Sequence, residues 1–363
     1  MGLPEKIKAI EEEMKRTQVH KHTEHHIGLL KAKLAKLKAE QEQAQRSKSS
    51  GNLGFEVKKG GDCTIVLIGL PSVGKSTLLN QLTNARSKVA PYAFTTLAVV
   101  PGLLEYKGAR MQILDLPGII AGAASGTGRG KRVLSVARSA DLVLLVLDVF
   151  QPDQTSTLRK ELYEMGIRLN TRPPNVTIEP SSEGGLGIIA TCSLTKLDEA
   201  TIRSILNVYK IHHANVIIRE DITDDQLIDV VAGNCTYKAS LTVLNKVDLV
   251  APKYVEEVKK RTSEDFIPIS ADQNLNIDTL KDAIYNRLSF IRVYLKPRNG
   301  KPDFDEPLIL TAGSTISDVC QKIHRRFLDA KYALVSGKSV RFNAQRVGMD
   351  HVLEDGDVVT IIR

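Results

Sequence analysis

Residues 69–76 read GLPSVGKS and lie between an apolar run, TIVLIGL (64–70), and a helix-forming stretch, STLLNQLTN (76–84). They fit G-x-x-x-x-G-K-[ST], a pattern whose backbone N–H groups and following helix N-terminus bind phosphate oxygens. Chance produces such a match in about one or two of every hundred chains of this length. Because a strand and a helix flank the match as the motif requires, the sequence predicts a phosphate-binding loop rather than an ordinary glycine turn.

Each residue type in this loop has a chemical use. We expect Lys75 to reach the β- and γ-phosphates of a nucleoside triphosphate and the Ser76 hydroxyl to coordinate Mg²⁺. The loop alone does not distinguish ATP from GTP. The other loop residues predicted to contact the nucleotide are Gly69, Pro71, Ser72, Val73, Gly74 and Thr77.

Further apolar runs of strand length follow and alternate with helical stretches. Such alternation predicts an α/β fold with a mostly parallel sheet that is covered on both faces. Ligands of open α/β sheets bind outside the carboxyl ends of the strands, which is where the polar clusters of these runs stand. The runs are MQILDLP (111–117), DLVLLVLDV (141–149), LTVLNKVD (241–248) and DFIPIS (265–270).

Two of these polar clusters predict nucleotide chemistry. In DLPG, Asp115 is placed to hold Mg²⁺ through water, and Gly118 allows a backbone N–H to approach the γ-phosphate. In NKVD, the Asp248 carboxylate can accept the N1–H and the exocyclic amine of guanine, a donor pair that adenine lacks. Asn245 can bond N7 and the neighbouring loop, and the Lys246 stem can lie against the base. The sequence therefore predicts GTP rather than ATP.

Two weaker signals depend on their position in this order. SAD, with Ser270 and Ala271, follows DFIPI, and the Ala271 N–H could donate to guanine O6. YAFTTL (92–97) lies between the loop helix and the next strand. A hydroxyl there, from Thr95 or Thr96, could complete the Mg²⁺ shell.

The composition is that of an ordinary globular protein: 363 residues, 42% hydrophobic, 25% charged, net charge +8. No apolar run has the ~18 residues that a membrane span needs, no secretion signal is recognised, and the four cysteines are scattered. We expect a cytoplasmic protein without a membrane partner. The predicted parts are a helical hairpin (1–50), a nucleotide-binding domain (61–167 with 237–289), an inserted α+β subdomain (168–236) and a ubiquitin-like domain (290–363).

These motifs, in this order, resemble the developmentally regulated GTP-binding protein family, which is related to the Obg GTPases. The resemblance covers essentially the whole chain, including NTRPPNVTIEPSSEGGLGI (170–188). It implies that Thr96 is the switch threonine, that the insertion has a ribosomal-protein-like fold and that residues 290–363 form a TGS domain. It also implies association with ribosomes and a zinc-finger-containing partner of the DFRP type.

The expected reaction is hydrolysis of GTP to GDP and phosphate, with Lys75, Thr96 and Gly118 as catalytic residues. Ile119 stands where Ras-like GTPases carry the Gln that orients water, so we expect slow intrinsic hydrolysis. K⁺, a partner protein or a basic segment (129–132) could assist, although Ser72 is a weaker K⁺ ligand than the Asn of related enzymes. An alternative is a binding module that uses nucleotide only for stability.

Two clusters leave a choice between a structural and a functional interpretation. Four histidines at 20, 22, 25 and 26 favour a solvated helix junction over a metal site. The segment CQKIHRRFL (320–328) is predicted to be helical and to present Lys322, His324, Arg325 and Arg326, either to solvent or to RNA phosphates. Removal of residues 290–363 is expected to leave nucleotide binding intact and to weaken ribosome association.

Overall fold

The computed structural model describes residues 2–18, 20, 23–48, 60–83, 100–116, 136–262, 264–327 and 329–362. By its contacts the chain divides into two compact units. The first consists of Met1–Gly54 with Gly166–Tyr237, and the second of Phe55–Met165 with Lys238–Arg363.

The secondary structure follows the alternation expected from the sequence. The strands are β1 (Cys63–Ile68), β2 (Val100–Tyr106), β3 (Ala109–Asp115), β4 (Leu142–Asp148), β5 (Ile167–Leu169), β6 (Val176–Pro180), β7 (Leu186–Ala190), β8 (Ala214–Ile218), β9 (Thr236–Asn245), β10 (Ile267–Pro268), β11 (Phe290–Leu295), β12 (Leu308–Thr311), β13 (Tyr332–Ser336), β14 (Gln345–Val347) and β15 (Val358–Ile362). The α-helices of the described residues are α1 (Leu3–Arg16), α2 (Glu24–Lys48), α3 (Lys75–Leu82), α4 (Gln154–Glu164), α5 (Glu199–Val208), α6 (Asp224–Ala232), α7 (Pro252–Thr262), α8 (Ile277–Arg287) and α9 (Ile316–Ile323).

The main sheet of the second unit has the order β10-β9-β4-β1-β3-β2. Its neighbours are parallel except β2, which is antiparallel to β3. β1 is buried along its whole length, as expected for a strand covered on both faces. The predicted mostly parallel sheet is therefore confirmed. The short strand β5 pairs with β9, and the Thr236 N–H at the start of β9 donates to the Gly166 carbonyl.

Residues 290–362 form a second sheet in this unit, of order β12-β11-β15-β13-β14, in which β11 and β15 are parallel. Helix α9 packs on it through Ile316, Val319 and Cys320, which are buried in one apolar cluster with residues of the strands. This is the small α+β domain that the sequence predicts. The helix ends at Ile323, sooner than predicted, because His324 takes an extended backbone.

This C-terminal domain shares apolar residues with the main sheet's core. Phe290 and Ile309 belong to the same buried cluster as Ile284 and Tyr285 of α8. The Lys322 ammonium bonds the Asp62 carboxylate at 2.8 Å. Lys322 is exposed, as the solvent-facing alternative expects, although its ammonium also pairs with Asp62. The predicted helix is wrong at its end, because it stops before Arg325, and contact of these basic residues with RNA stays a prediction.

In the first unit a three-stranded sheet, β6-β8-β7, carries α5 and α6. Helix α2 packs against both helices, with Ala32 fully buried in their apolar cluster. Lys31 forms ion pairs with Asp224 and Asp225 at 3.0 and 2.9 Å. The predicted N-terminal hairpin thus finds its packing partner in the inserted segment.

Within the histidine cluster, His22 lies outside the described residues, and His25 and His26 have different partners. His25 Nδ1 bonds Thr201 Oγ1 at 2.7 Å, whereas His26 Nε2 bonds Glu13 Oε1 at 3.0 Å. The described part of the chain contains no group of three or more His, Cys, Asp or Glu side chains arranged to hold a metal. Within that same part, no helix is long and apolar enough to cross a membrane.

Candidate nucleotide site

The predicted site residues that the structure describes gather at one edge of the main sheet. The loop 69–74 follows β1, Asp115 ends β3, Asn245 ends β9, and Ser270 follows β10. Because these strands are parallel, their carboxyl ends meet at the same edge. The structure thus brings together residues as far apart in the chain as Gly69 and Ser270.

The backbone of the loop is fixed by two glycines. Gly74 has φ +89°, and a Cβ there would lie 2.4 Å from Asn245 Nδ2. A Cβ on Gly69 would lie 2.4 Å from the Val146 carbonyl oxygen. Both positions exclude a side chain, so the loop can lie close to the ends of β4 and β9.

Lys75 begins α3 and is only 7% exposed. Its ammonium donates to the carbonyls of Gly69 at 3.0 Å and Leu70 at 2.8 Å. Burial lowers the pKa of Lys75, and the nearby Asp115 charge opposes that shift. The Lys75 ammonium is therefore desolvated and bonded to carbonyls of its own loop. A phosphate bound there would offer this ammonium stronger acceptors.

Asp115 and Ser76 form the polar centre of the site. The Ser76 hydroxyl donates to Asp115 Oδ2 at 2.6 Å. Asp115 is 7% exposed, and its Oδ1 has no hydrogen-bond partner among the described residues. A buried carboxylate oxygen without a partner is costly, so this arrangement suits a cation or its water ligands.

The end of β9 is tied to two other segments by one buried amide. Asn245 Nδ2 donates to the Val73 carbonyl at 2.9 Å, and Asn245 Oδ1 accepts the Ala271 N–H at 2.9 Å. The predicted contact of Asn245 with the neighbouring loop is therefore present. The Ala271 N–H is already used, so donation to guanine O6 would require that this bond be shared or broken.

Lys246 also reaches the phosphate-binding loop. Its backbone is left-handed, with φ +66°. The ammonium donates to the Ser72 carbonyl at 2.9 Å and to Asp148 Oδ2 at 2.6 Å. Asp248 follows in a 3₁₀ turn, Val247–Leu249, with its side chain exposed to solvent.

The remaining predicted residues fall into two sets. Pro71, Ser72 and Thr77 are exposed on the loop and its helix, while Val73 and Ser270 are buried. Thr96 and Gly118 lie outside the described residues, as do Ile119 and the basic segment 129–132.

Comparisons with known proteins agree with this geometry. Residues 64–179 match a family model described as 50S ribosome-binding GTPase, residues 183–290 match the C-terminal region of the MMR_HSR1 domain, and residues 291–363 match the TGS domain. A GTP-binding protein of Methanocaldococcus jannaschii is 55% identical over 100% of this chain and 93% of its own length. Developmentally regulated GTP-binding protein 2 of Homo sapiens and its Dictyostelium discoideum homologue are 45% and 46% identical over the full length of both chains.

The chain belongs to the developmentally regulated GTP-binding protein family.

As a member of that family it is a GTP-binding protein with a P-loop GTPase domain and a C-terminal TGS domain. P-loop GTPases generally use Mg²⁺, a hard cation that prefers oxygen ligands. Ser76 Oγ and Asp115 Oδ1, which has no hydrogen-bond partner in the part of the chain that the structure describes, are oxygen ligands of that kind. The residues present in this family member therefore fit the metal.

Sequence reasoning missed one residue of the site. Asp148 stands in the run DLVLLVLDV (141–149) and was not predicted as a site residue, although it ends β4 at the same sheet edge. The signal available was its position, because a carboxylate at the carboxyl end of a buried parallel strand faces the ligand crevice.

Proposed function

We propose that this GTP-binding protein is a GTP-hydrolysing molecular switch that acts with Mg²⁺ on the ribosome, in the cytoplasm, during translation. The observation that carries the proposal is the Ser76–Asp115 pair at 2.6 Å, whose buried Oδ1 has no partner among the described residues. It lies beside the desolvated Lys75 ammonium. Such a centre is costly to bury for stability alone, and it suits a triphosphate bound with its metal.

Guanine selection is assigned to the end of β9. The exposed Asp248 carboxylate would accept the two donors of the base, and Asn245 would hold the loops around it. Asn245 is suited to that role because it already joins Val73 and Ala271. A base that leaves the Asp248 carboxylate unpaired would be rejected strongly.

Phosphate binding is assigned to the loop, with Gly69, Pro71, Ser72, Val73, Gly74 and Thr77 lining the phosphate chain. Ser76, Thr96 and, through water, Asp115 would hold Mg²⁺, which supplies charge neutralisation at the transferring phosphoryl group. Lys75 would leave the Gly69 and Leu70 carbonyls for the β- and γ-phosphates. The N-terminus of α3 adds its unpaired N–H groups to the same anion.

Hydrolysis is proposed to be slow without assistance. Ile119 has no side-chain hydrogen-bonding group with which to orient water. Thr96 and Gly118 are proposed to close on the γ-phosphate, and a monovalent cation such as K⁺ or a partner protein supplies the missing help. Release of those segments after hydrolysis would change how the attached domains meet their partner.

Two partners are proposed. The description of the matched GTPase model names the 50S ribosome, and the net charge of +8 suits a polyanionic surface. A DFRP-type zinc-finger protein is proposed as the second partner, from the family resemblance alone.

Competition binding tests the nucleotide assignment. The purified chain should bind a fluorescent GDP analogue, and GTP should displace that analogue far better than ATP does. Displacement by GTP should require Mg²⁺. Ser76→Ala should weaken the Mg²⁺-dependent part of that affinity, whereas Ser156→Ala, on the exposed face of α4, should not. Equal displacement by ATP would contradict the assignment.

Phosphate release tests turnover. Multiple turnovers should be slow in sodium buffer and faster in potassium buffer or with the partner. Their absence under all these conditions would favour the nucleotide-stabilised binding module. Sedimentation with ribosomes should differ between a non-hydrolysable GTP analogue and GDP, and equal sedimentation would contradict a switch.

A further inference from the structure

The Asp148 carboxylate, at the end of β4, makes two different contacts. Its Oδ2 accepts from the Lys246 ammonium at 2.6 Å, and its Oδ1 accepts the Phe150 N–H at 2.9 Å. The side chain is 15% exposed. Asp148 is also the register partner of Asn245 across β4 and β9, so it lies directly beside the start of the NKVD segment.

Lys246 is the second member of a three-part chain of contacts. Its ammonium bridges the Asp148 carboxylate and the Ser72 carbonyl of the phosphate-binding loop, at 2.6 and 2.9 Å. Its left-handed backbone, φ +66°, turns the side chain back toward that loop at a cost that non-glycine residues rarely bear. The arrangement therefore depends on partners that hold the side chain in place.

We propose that Asp148 is a positioning residue for guanine nucleotide binding, because it holds the Lys246 ammonium against the Ser72 carbonyl. Through Lys246 it joins the base-recognition segment to the phosphate-binding loop. This inference rests on the proposed function of the site.

The physical reason is the nature of the lysine side chain. A lysine has four rotatable bonds and a strongly hydrated ammonium, so a single carbonyl acceptor holds it weakly against water. The partly buried carboxylate adds a charge-assisted hydrogen bond, which is roughly twice as strong as a neutral one. Without it, Lys246 would leave the loop and its stem would no longer form a wall for the base.

Asp148→Asn separates this role from a structural one. The asparagine keeps an oxygen for the Phe150 N–H but loses the charge that holds Lys246. We expect the Kd values for fluorescent GDP and GTP analogues to rise about tenfold together, as loss of a charged hydrogen bond implies. The loss should appear in Kd and in faster dissociation, rather than in the rate constant for hydrolysis of bound GTP.

Asp153→Asn is the matched control. Asp153 lies five residues away, its side chain is 75% exposed, and it pairs with Arg261 at 3.2 Å. An exposed ion pair contributes little, so this variant should bind both nucleotides as the unmodified chain does. If it weakened binding as much as Asp148→Asn, the effect would be one of general charge and the proposal would be overturned.

A double-mutant cycle with Lys246→Met gives the deciding result. If Asp148 acts through Lys246, Asp148→Asn should cause no further loss of affinity in the Lys246→Met background. If the fold-increases in Kd of the two single variants multiplied in the double variant, the inference would be overturned. Unchanged affinity of the Asp148→Asn single variant would overturn it as well. A chain of unmodified sequence that did not prefer GTP to ATP would instead contradict the proposed function itself.

Discussion

Gly74 is constrained by both its conformation and its surroundings. Its φ of +89° disfavours any residue with a Cβ, and that Cβ would lie 2.4 Å from Asn245 Nδ2. Since Asn245 cannot move without losing its bonds to Val73 and Ala271, the strain falls on the loop itself.

We therefore expect Gly74→Ala to raise the Kd for GTP by at least about tenfold, because conformational strain of about 1–3 kcal/mol falls on the binding loop. Fluorescence titration with a labelled GDP analogue measures the change. Gly348→Ala is the control, because a Cβ there meets no atom within 4 Å. Equal affinity in both variants would show that the loop adapts without cost.

Asp248→Asn tests base recognition. The substitution replaces an acceptor oxygen with a donor amide, which suits the C2 carbonyl of xanthine and leaves the guanine amine unpaired. We expect GTP affinity to fall about tenfold to hundredfold and xanthosine triphosphate to become the better competitor. Asp278→Asn, whose side chain is 88% exposed, is the control. Retained GTP preference in the Asp248 variant would remove this residue from the base contact.

At the scale of elements, strands with a continuous apolar pattern were predictable and those with an irregular one were not. β4 lies within a run recognised from the sequence, and β1, β3 and β9 overlap such runs but begin one, two and five residues before them. β6 was not recognised, because Val176–Pro180 follows two prolines and pairs with β8 some forty residues later. The end of helix α9 was predicted too far along the chain, because the basic residues after Ile323 continue a helical pattern. The extended backbone of His324 interrupts that helix.

The C-terminal sheet is closed by an ion pair between β11 and the turn before β15. Arg292 donates from Nε and from its terminal nitrogen to the two oxygens of Asp355, at 3.0 and 2.7 Å. The Arg292 guanidinium lowers the pKa of Asp355 below its ordinary value of 3.8. The carboxylate therefore stabilises the fold above that value, and the contribution is lost as pH falls through the folded pKa.

We expect Asp355→Asn to lower the free energy of unfolding at neutral pH by about 1 kcal/mol or less, because both side chains are more than one-third exposed. The difference from the unmodified chain should shrink as the pH falls below about 3.8. Urea unfolding across this range measures it. A difference independent of pH would show that the pair's charge contributes nothing.

The hairpin of the first unit should respond to loss of a single buried side chain. Leu30 of α2 is buried, and α2 packs on α5 and α6. We expect Leu30→Ala to destabilise this unit by about 2–5 kcal/mol, as measured by urea unfolding. Ile189→Ala is the control in the same unit, because Ile189 is largely exposed. Equal stability of the two variants would show that α2 is only loosely attached.

At the scale of the whole molecule, contacts between residues far apart in the chain could not be predicted from the sequence. Lys322 and Asp62 are 260 residues apart, and no local pattern marks them as partners. The expectation that removal of residues 290–363 leaves nucleotide binding intact likewise took no account of such contacts. Phe290 and Ile309 lie in the apolar cluster of the main sheet, and the Phe290 ring meets Tyr285 edge-on at 5.6 Å.

Truncation after Ser289 should therefore lower the melting temperature of the GTPase domain, because removing buried apolar side chains costs about 3–5 kcal/mol for a phenylalanine alone. Truncation after Leu295, which keeps Phe290, should cost less. Thermal unfolding of the two shortened chains measures the difference. Identical melting temperatures, equal to that of the intact chain, would show that the shared cluster is dispensable.

The bond from Asn245 to Val73 joins residues 172 positions apart, and the same amide then reaches Ala271. During synthesis the loop at residues 69–76 emerges long before either partner exists. A growing polypeptide must therefore complete the whole inserted segment before the two hydrogen bonds of Asn245 can form, since contacts between distant residues wait for the intervening chain. The bond between Asn245 and Ala271 can therefore form only after most of the molecule has been synthesised.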